Sequence, residues 1–206
     1  MIYQEVIFTK KECETIMNLR NNHKLFFVTP ESSLIKNTRT VYHKEKNFNG
    51  VGYDNSKDWV KRYNVWDIPI NKETFWFYDR IYKWFSELTN IQIDREKYFN
   101  RSDAAHKIHE YNIGDKFDLH ADQNDGSIDR IWNLGIQLNS NYEGGDYICY
   151  DKNNHPINIS KETGNTIAYS SDVLHEINEI LQGKRYSLVV KIYSWELYTK
   201  KNKSFI

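Results

Sequence analysis

The sequence predicts a mainly β protein, a jelly roll with N-terminal helices packed on one sheet, and three observations carry that expectation. From Ala105 onward, short runs of β-branched and aromatic residues are separated by the turn formers Asn-Ile-Gly-Asp, Asn-Asp-Gly, Gly-Gly-Asp, Asn-Asn-His-Pro, Thr-Gly-Asn and Gln-Gly-Lys. Long connections join these runs with no helical period between them, which favours a jelly roll over a parallel βαβ sheet. Ahead of them lie two amphipathic helical segments, one with an aromatic face so dense that a sheet must cover it.

Thr9-Lys10-Lys11-Glu12 reads as a capping box, and Cys13, Ile16, Met17 and Arg20 follow at helical spacing, so a helix is expected over Lys10–Asn21. The stretch from Leu25 to Asp67 is irregular, with a strand expected over Thr38–His43 and a loop over Asn47–Asn55. Past Pro69, Asn71 is the expected cap of a second helix reaching Leu88, whose Phe77, Ile81, Trp84, Phe85 and Leu88 share one face. Strands are expected over Ala105–Tyr111, Lys116–Asp122, Ile131–Leu138, Asp146–Tyr150, Ile157–Ile159, Thr166–Tyr169, His175–Ile177 and Arg185–Tyr193. The whole reads as one domain over 1–206, with 1–100 as a helical support region and 105–195 as the jelly-roll core.

Length and composition fit one core. The chain has 206 residues, and its 15% of aromatic residues bury large areas each. Twenty-eight basic residues balance 28 acidic ones, which removes the long-range field that draws proteins to nucleic acid or anionic lipid. Charges interrupt every apolar run near Met1, so the expectation is a soluble, cytoplasmic protein without membrane association. Cys13 and Cys149 are too few and too dispersed for a disulfide framework or a thiolate zinc site.

The chemistry gathers in the β half. In His120-Ala121-Asp122 an imidazole and a carboxylate stand two residues apart, on one face if the segment is a strand. His175 opens another expected strand 53 residues after Asp122, where it could approach from across a barrel. Two histidines and one carboxylate form the facial triad that leaves positions open on iron(II), and zinc takes the same ligand types. Strand alternation puts Arg185, Ser187 and Val189 on one face; a guanidinium beside a hydroxyl binds a carboxylate, for which a zinc hydrolase has no evident need. Gln137 shares a polar face with Asn133 and Gly135, while Trp132, Leu134, Ile136 and Leu138 should pack outward against the helices.

The stretch Tyr111-Asn112-Ile113-Gly114 leading into His120-Ala121-Asp122, then Gly144-Gly145-Asp146, His175 and Gly183-Lys184-Arg185, resembles the iron(II)- and 2-oxoglutarate-dependent oxygenases of the prolyl 4-hydroxylase-like group. That resemblance implies a double-stranded β-helix with Fe(II) on His120, Asp122 and His175. It also implies 2-oxoglutarate as cosubstrate with its 5-carboxylate on Arg185, assisted by Tyr111 and Ser187, to which the polar face of the Ile131–Leu138 strand adds Gln137 as a further candidate, and it brings O2 and ascorbate as reductant. It implies hydroxylation of a peptidyl residue, proline first, so that a peptide or protein would be the partner. Hydroxylation of a free amino acid or small molecule is the alternative that a mouth closed by the Asn124–Arg130 loop would favour. A non-catalytic binding module and an AlkB-like nucleic acid demethylase are further alternatives, the latter disfavoured by the balanced charge. One departure stands out: prolyl hydroxylase-like chains carry Trp about six residues after the carboxylate-binding base, and this chain has Lys191 there, with Trp195 four residues on. Lys191 is expected either to mimic the second Arg of the AlkB-like pattern or to reach water from a strand end.

Overall fold

The computed structural model describes residues 1–22, 25–27, 40–43, 59–94, 106–122 and 130–194; the expected loop over Asn47–Asn55, nearly all of the Asn124–Arg130 loop and Trp195 lie outside these. In chain order the elements are β1 Ile2–Val6, α1 Lys10–Asn18, β2 Leu25–Phe27, β3 Thr40–His43, β4 Trp59–Arg62, β5 Asn64–Asp67, α2 Phe75–Thr89, β6 Lys107–Tyr111, β7 Phe117–His120, β8 Arg130–Gln137, β9 Tyr142–Gly144, β10 Tyr147–Tyr150, β11 Pro156–Asn158, β12 Asn165–Ser170, β13 His175–Ile177, β14 Ile180–Gly183 and β15 Arg185–Tyr193. Among the described residues, a larger antiparallel sheet runs β1-β12-β8-β15-β6-β5-β2 and a smaller one β11-β10-β13-β7-β4-β3, with β9 and β14 paired apart from both. The non-sequential order of the strands is that of a jelly roll.

Alternation along β8 and β15 divides the molecule. Leu134, Ile136, Leu188, Val190 and Ile192 point outward and form one buried cluster with Ile16 of α1 and with Phe77, Ile81 and Phe85 of α2. The helices therefore back the larger sheet, as the aromatic face required. Between the sheets, Val65 and Tyr111 of the larger meet Phe117 and Ile177 of the smaller, while Ile167 and Tyr169 meet Cys149. Both cysteines are free and buried. Burial pushes the Cys149 thiol up to about 12 and the Cys13 thiol to about 11, so neither is reactive at neutral pH.

The first hundred residues, expected as a helical support region with one strand over Thr38–His43, hold more strands than that. They add β1 to the larger sheet, in register with β12 from Ile2↔Tyr169 to Val6↔Asn165, and they supply β2 to β5. Short strands of mixed composition have no period long enough to detect. Helix α1 ends three residues early and continues as a 3-10 turn, Leu19–Asn22. Asn71 caps the turn that leads into α2, its Oδ1 accepting from the Glu73 and Thr74 amides, while Thr74 occupies the formal cap. No helix among the described residues is long and apolar enough to cross a membrane.

The Thr9–Glu12 capping box is present, and Arg80 of α2 reaches Glu12 at 2.8 Å. The Arg80 and Thr9 hydrogen bonds hold the Glu12 carboxyl down at about 2 instead of 4.5. Because the folded value is the lower one, this contribution is complete above the unfolded value and is lost as the pH falls through the folded one. Both groups are partly exposed, which screens the pair. Glu12→Gln is therefore expected to cost about 1 kcal/mol at pH 6, with the difference from the parent vanishing by pH 2 in urea titrations. A constant difference between pH 6 and pH 2 would show that the carboxylate is not what stabilises this corner.

Candidate active site

His120 closes β7 and His175 opens β13, and the two lie directly opposite each other in register. The third member of the set therefore comes from the neighbouring strand of the same sheet, not from across the barrel as expected. The two imidazole centroids are 4.1 Å apart, and His120 stacks on Phe117 at 3.7 Å. Each ring is fixed in the same way by the carbonyl two residues before it. His120 Nδ1 donates to the Asp118 carbonyl at 2.7 Å and His175 Nδ1 to the Val173 carbonyl at 3.0 Å. A carbonyl can only accept, so the proton sits on Nδ1 and the Nε2 lone pair is left for a metal.

Asp122 lies past the end of β7, where the chain has already turned, so its convergence with His120 does not follow from strand alternation. Its Oδ1 is 3.7 Å from His120 Nε2 and its Oδ2 3.5 Å from His175 Nε2. One ligand atom from each of the three buried residues lies within 4.8 Å of the others. Burial alone would raise the Asp122 carboxyl, but Arg130 above all, then His175, His120 and Lys191, hold it well below the usual carboxylate range. It is an anion throughout the physiological range. Two neutral imidazoles and one carboxylate are a donor set suited to iron(II) with positions left open.

Arg185 begins β15 with 2% of its surface exposed. Its Nη2 donates to Gln137 Oε1 at 3.0 Å and its Nη1 to Ser187 Oγ at 3.3 Å, while Nε makes no hydrogen bond. Tyr111 is opposite Arg185 in register, with its ring 5.3 Å from the guanidinium carbon, and its buried hydroxyl also has no partner. Burial, first among several causes, keeps the Tyr111 phenol well above its ordinary value, so it stays a donor. Gln137 also donates from Nε2 to the Tyr142 hydroxyl at 2.5 Å. A guanidinium Nε–H and a phenol O–H, buried without acceptors, fit an anion such as a carboxylate. The four residues expected to hold the cosubstrate thus stand together, and Tyr147 ties them to the triad: its ring is 5.7 Å from the Arg185 guanidinium carbon and 5.9 Å from the His175 ring.

The glycine pair earlier in the chain has a steric reason. Gly145 has φ +60, and a Cβ there would meet Ile180 Cδ1 at 2.3 Å and Tyr142 Cε2 at 3.1 Å. The turn after β9 runs in the left-handed region and close against Ile180 and Tyr142, which favours glycine.

Sequence reasoning missed three residues at the site. Tyr169 places its hydroxyl 3.2 Å from His175 Nε2, and Tyr147 reads as an ordinary core aromatic. Arg130, 4% exposed, reaches Asp122 Oδ2 at 2.8 Å. Its parity along β8 assigns it to the outer face with Trp132 and Leu134. However, the pairing with β15 passes from Trp132↔Ile192 to Arg130↔Tyr193, and the extra residue Ile131 turns Arg130 inward. Lys191 is not at a strand end but within β15, half-buried and in register with Asn133.

Residues 106–193 match the family described as the 2OG-Fe(II) oxygenase superfamily. Among solved structures, the fold is similar to a 2OG-Fe(II) oxygenase family oxidoreductase from Burkholderia pseudomallei, at 13% identity over 94% of this chain and 85% of that one, TM-score 0.61. It is similar to a Pseudomonas putida prolyl-4-hydroxylase at 13% identity, 93% and 91% coverage and TM-score 0.58. A Trichoplax adhaerens prolyl hydroxylase in complex with a hypoxia inducible factor oxygen degradation domain peptide fragment aligns at 14% identity, 95% and 83% coverage and TM-score 0.63. No curated protein matches by sequence. The matched stretch contains His120, Asp122, His175 and Arg185, so the part of the chain that holds the whole candidate site is similar to the 2OG-Fe(II) oxygenase superfamily, a likeness that implies iron(II), 2-oxoglutarate and O2.

Proposed function

We propose that this chain is an iron(II)- and 2-oxoglutarate-dependent dioxygenase that hydroxylates a residue of a peptide, proline being the first candidate, with the metal held by His120, Asp122 and His175 and the far carboxylate of 2-oxoglutarate held by Arg185. The observation that carries the site assignment is the pair of donors, Arg185 Nε and Tyr111 hydroxyl, buried without acceptors in the interior that the triad shares. Ser187 and Gln137 keep the guanidinium in place by accepting from its two terminal nitrogens. Iron(II), when bound there, supplies the activation of dioxygen that couples breakdown of 2-oxoglutarate to hydroxylation. The chain contributes the rest: Nδ1 donors orient the imidazoles, Tyr111 offers a proton to the carboxylate without losing it, and two sheets of aromatic side chains limit water. Support for a peptide substrate is the likeness in fold to prolyl hydroxylases, one of them bound to a peptide. A proline-rich segment enters extended and already ordered, which lowers the cost of binding.

The test is anaerobic loading with Fe(II) and 2-oxoglutarate, then admission of oxygen with a panel of proline-containing peptides, free amino acids and oligonucleotides. The expected result is stoichiometric succinate and a gain of about 16 Da on a peptidyl proline. A gain on the free amino acids or nucleic acid alone would move the substrate to those classes. Absence of succinate with every class would remove the assignment.

A further inference from the structure

We propose that Arg130, braced by Asn133, is the positioning residue for the Asp122 carboxylate: it takes Oδ2 and presents Oδ1 alone to the metal. The inference rests on the metal reading above. Several features set Arg130 apart from an incidental ion pair. Its guanidinium is nearly fully buried, Nη2 lies 2.8 Å from Oδ2, and Nε donates to Asn133 Oδ1. Asn133 is itself completely buried on the inner face of β8, so the arginine is gripped at two of its nitrogens and cannot swing to solvent. The backbone around it is tied as well. The Arg130 carbonyl accepts from Ser171 Oγ at 2.5 Å, and the Ile131 carbonyl accepts from the Ser171 amide at 3.0 Å. Ser171 begins the turn that delivers His175. The start of β8 thus touches both the carboxylate and the segment carrying the distal imidazole.

The consequence is a defined coordination number. A free carboxylate past the end of a strand can offer a metal one oxygen or two, and two would occupy a position needed by the cosubstrate or by oxygen. A guanidinium fixed on Oδ2 favours the single-oxygen mode. The bulge in β8 that turns Arg130 inward is then a feature of the site, since bulges re-aim side chains next to active centres.

The test is titration of cobalt(II) into the metal-free protein, read by affinity and by the intensity of its visible absorption, which reports coordination. Arg130→Gln is expected to weaken Co(II) binding about 10- to 100-fold and to change the absorption band. Arg130→Lys, which keeps the charge and loses the fork, should recover part of both. The melting temperature of the metal-free variants reports any purely structural loss separately. Should Arg130→Gln fail to fold, Asn133→Ala carries the test: releasing the brace should weaken Co(II) about 3- to 10-fold and shift the same band. Wild-type affinity and an unchanged spectrum in the folded variant overturn the assignment of Arg130 while leaving the triad intact. If the parent protein binds no Co(II), the metal reading and this inference fall together.

Discussion

Asp122→Ala is expected to abolish metal binding and also to destabilise the metal-free protein by about 3–5 kcal/mol, whereas His175→Ala should abolish metal binding with a smaller loss of stability. The asymmetry follows from what each side chain leaves behind. Removing Asp122 takes the carboxylate from beside a guanidinium that is 4% exposed and tethered to Asn133, so that a buried charge loses its counter-ion. Removing His175 leaves a cavity and two hydrogen-bonding groups, the Val173 carbonyl and the Tyr169 hydroxyl, each costing far less than a charge. Both variants lose one of three protein ligands and should drop Mn(II) or Co(II) affinity by at least about a hundredfold, beyond the upper range for loss of an outer partner. Urea unfolding of the two metal-free variants separates the effects. Equal stabilities would mean that Arg130 is not held by Asp122 in solution.

The same contrast explains what could be read from the sequence. The spacing His120-x-Asp122, the glycine pair, His175 and Gly-x-Arg185 survive as an ordered set because the chemistry demands those residue types and the order is linear. Helices α1 and α2 were legible because 3.6-residue periodicity is long and loud there, and the inner face of β8 because Asn133, Gly135 and Gln137 alternate with large apolar residues. What local patterns did not carry were a break in parity and strand partnership. Arg130 crosses to the inner face through one inserted residue, and alternation cannot foresee a bulge. His175 was expected as a ligand that could approach from across the barrel and is instead the cross-strand neighbour of His120, because strand order is set by long-range pairing that no local window contains. Strands β1 to β5 are three to five residues long, and apart from β3, which was expected over Thr38–His43, they are too short to announce a period.

Arg185→Gln is expected to raise the KM for 2-oxoglutarate about 10- to 150-fold, the equivalent of about 1.5–3 kcal/mol for a hydrogen bond to a charged group. The maximal rate at saturating cosubstrate should change little, because the far carboxylate is held equally before and during the reaction. Metal affinity measured without 2-oxoglutarate should match the parent, since no hydrogen bond or ion pair links Arg185 to His120, Asp122 or His175 among the described residues. Arg185→Lys retains the charge but replaces the planar fork by a shorter point charge that cannot reproduce the spaced contacts to Gln137, Ser187 and a carboxylate, so an intermediate KM is expected. Tyr111→Phe isolates the second donor: it removes one hydroxyl from a ring that otherwise keeps its packing against Tyr63, and a rise in KM of about fivefold is expected for a single neutral donor. Two variants that each raise KM without touching metal affinity would mark Arg185 and Tyr111 as one anion subsite. An unchanged KM in Arg185→Gln would mean that the cosubstrate's far end lies elsewhere in the barrel and that the buried guanidinium serves the fold alone.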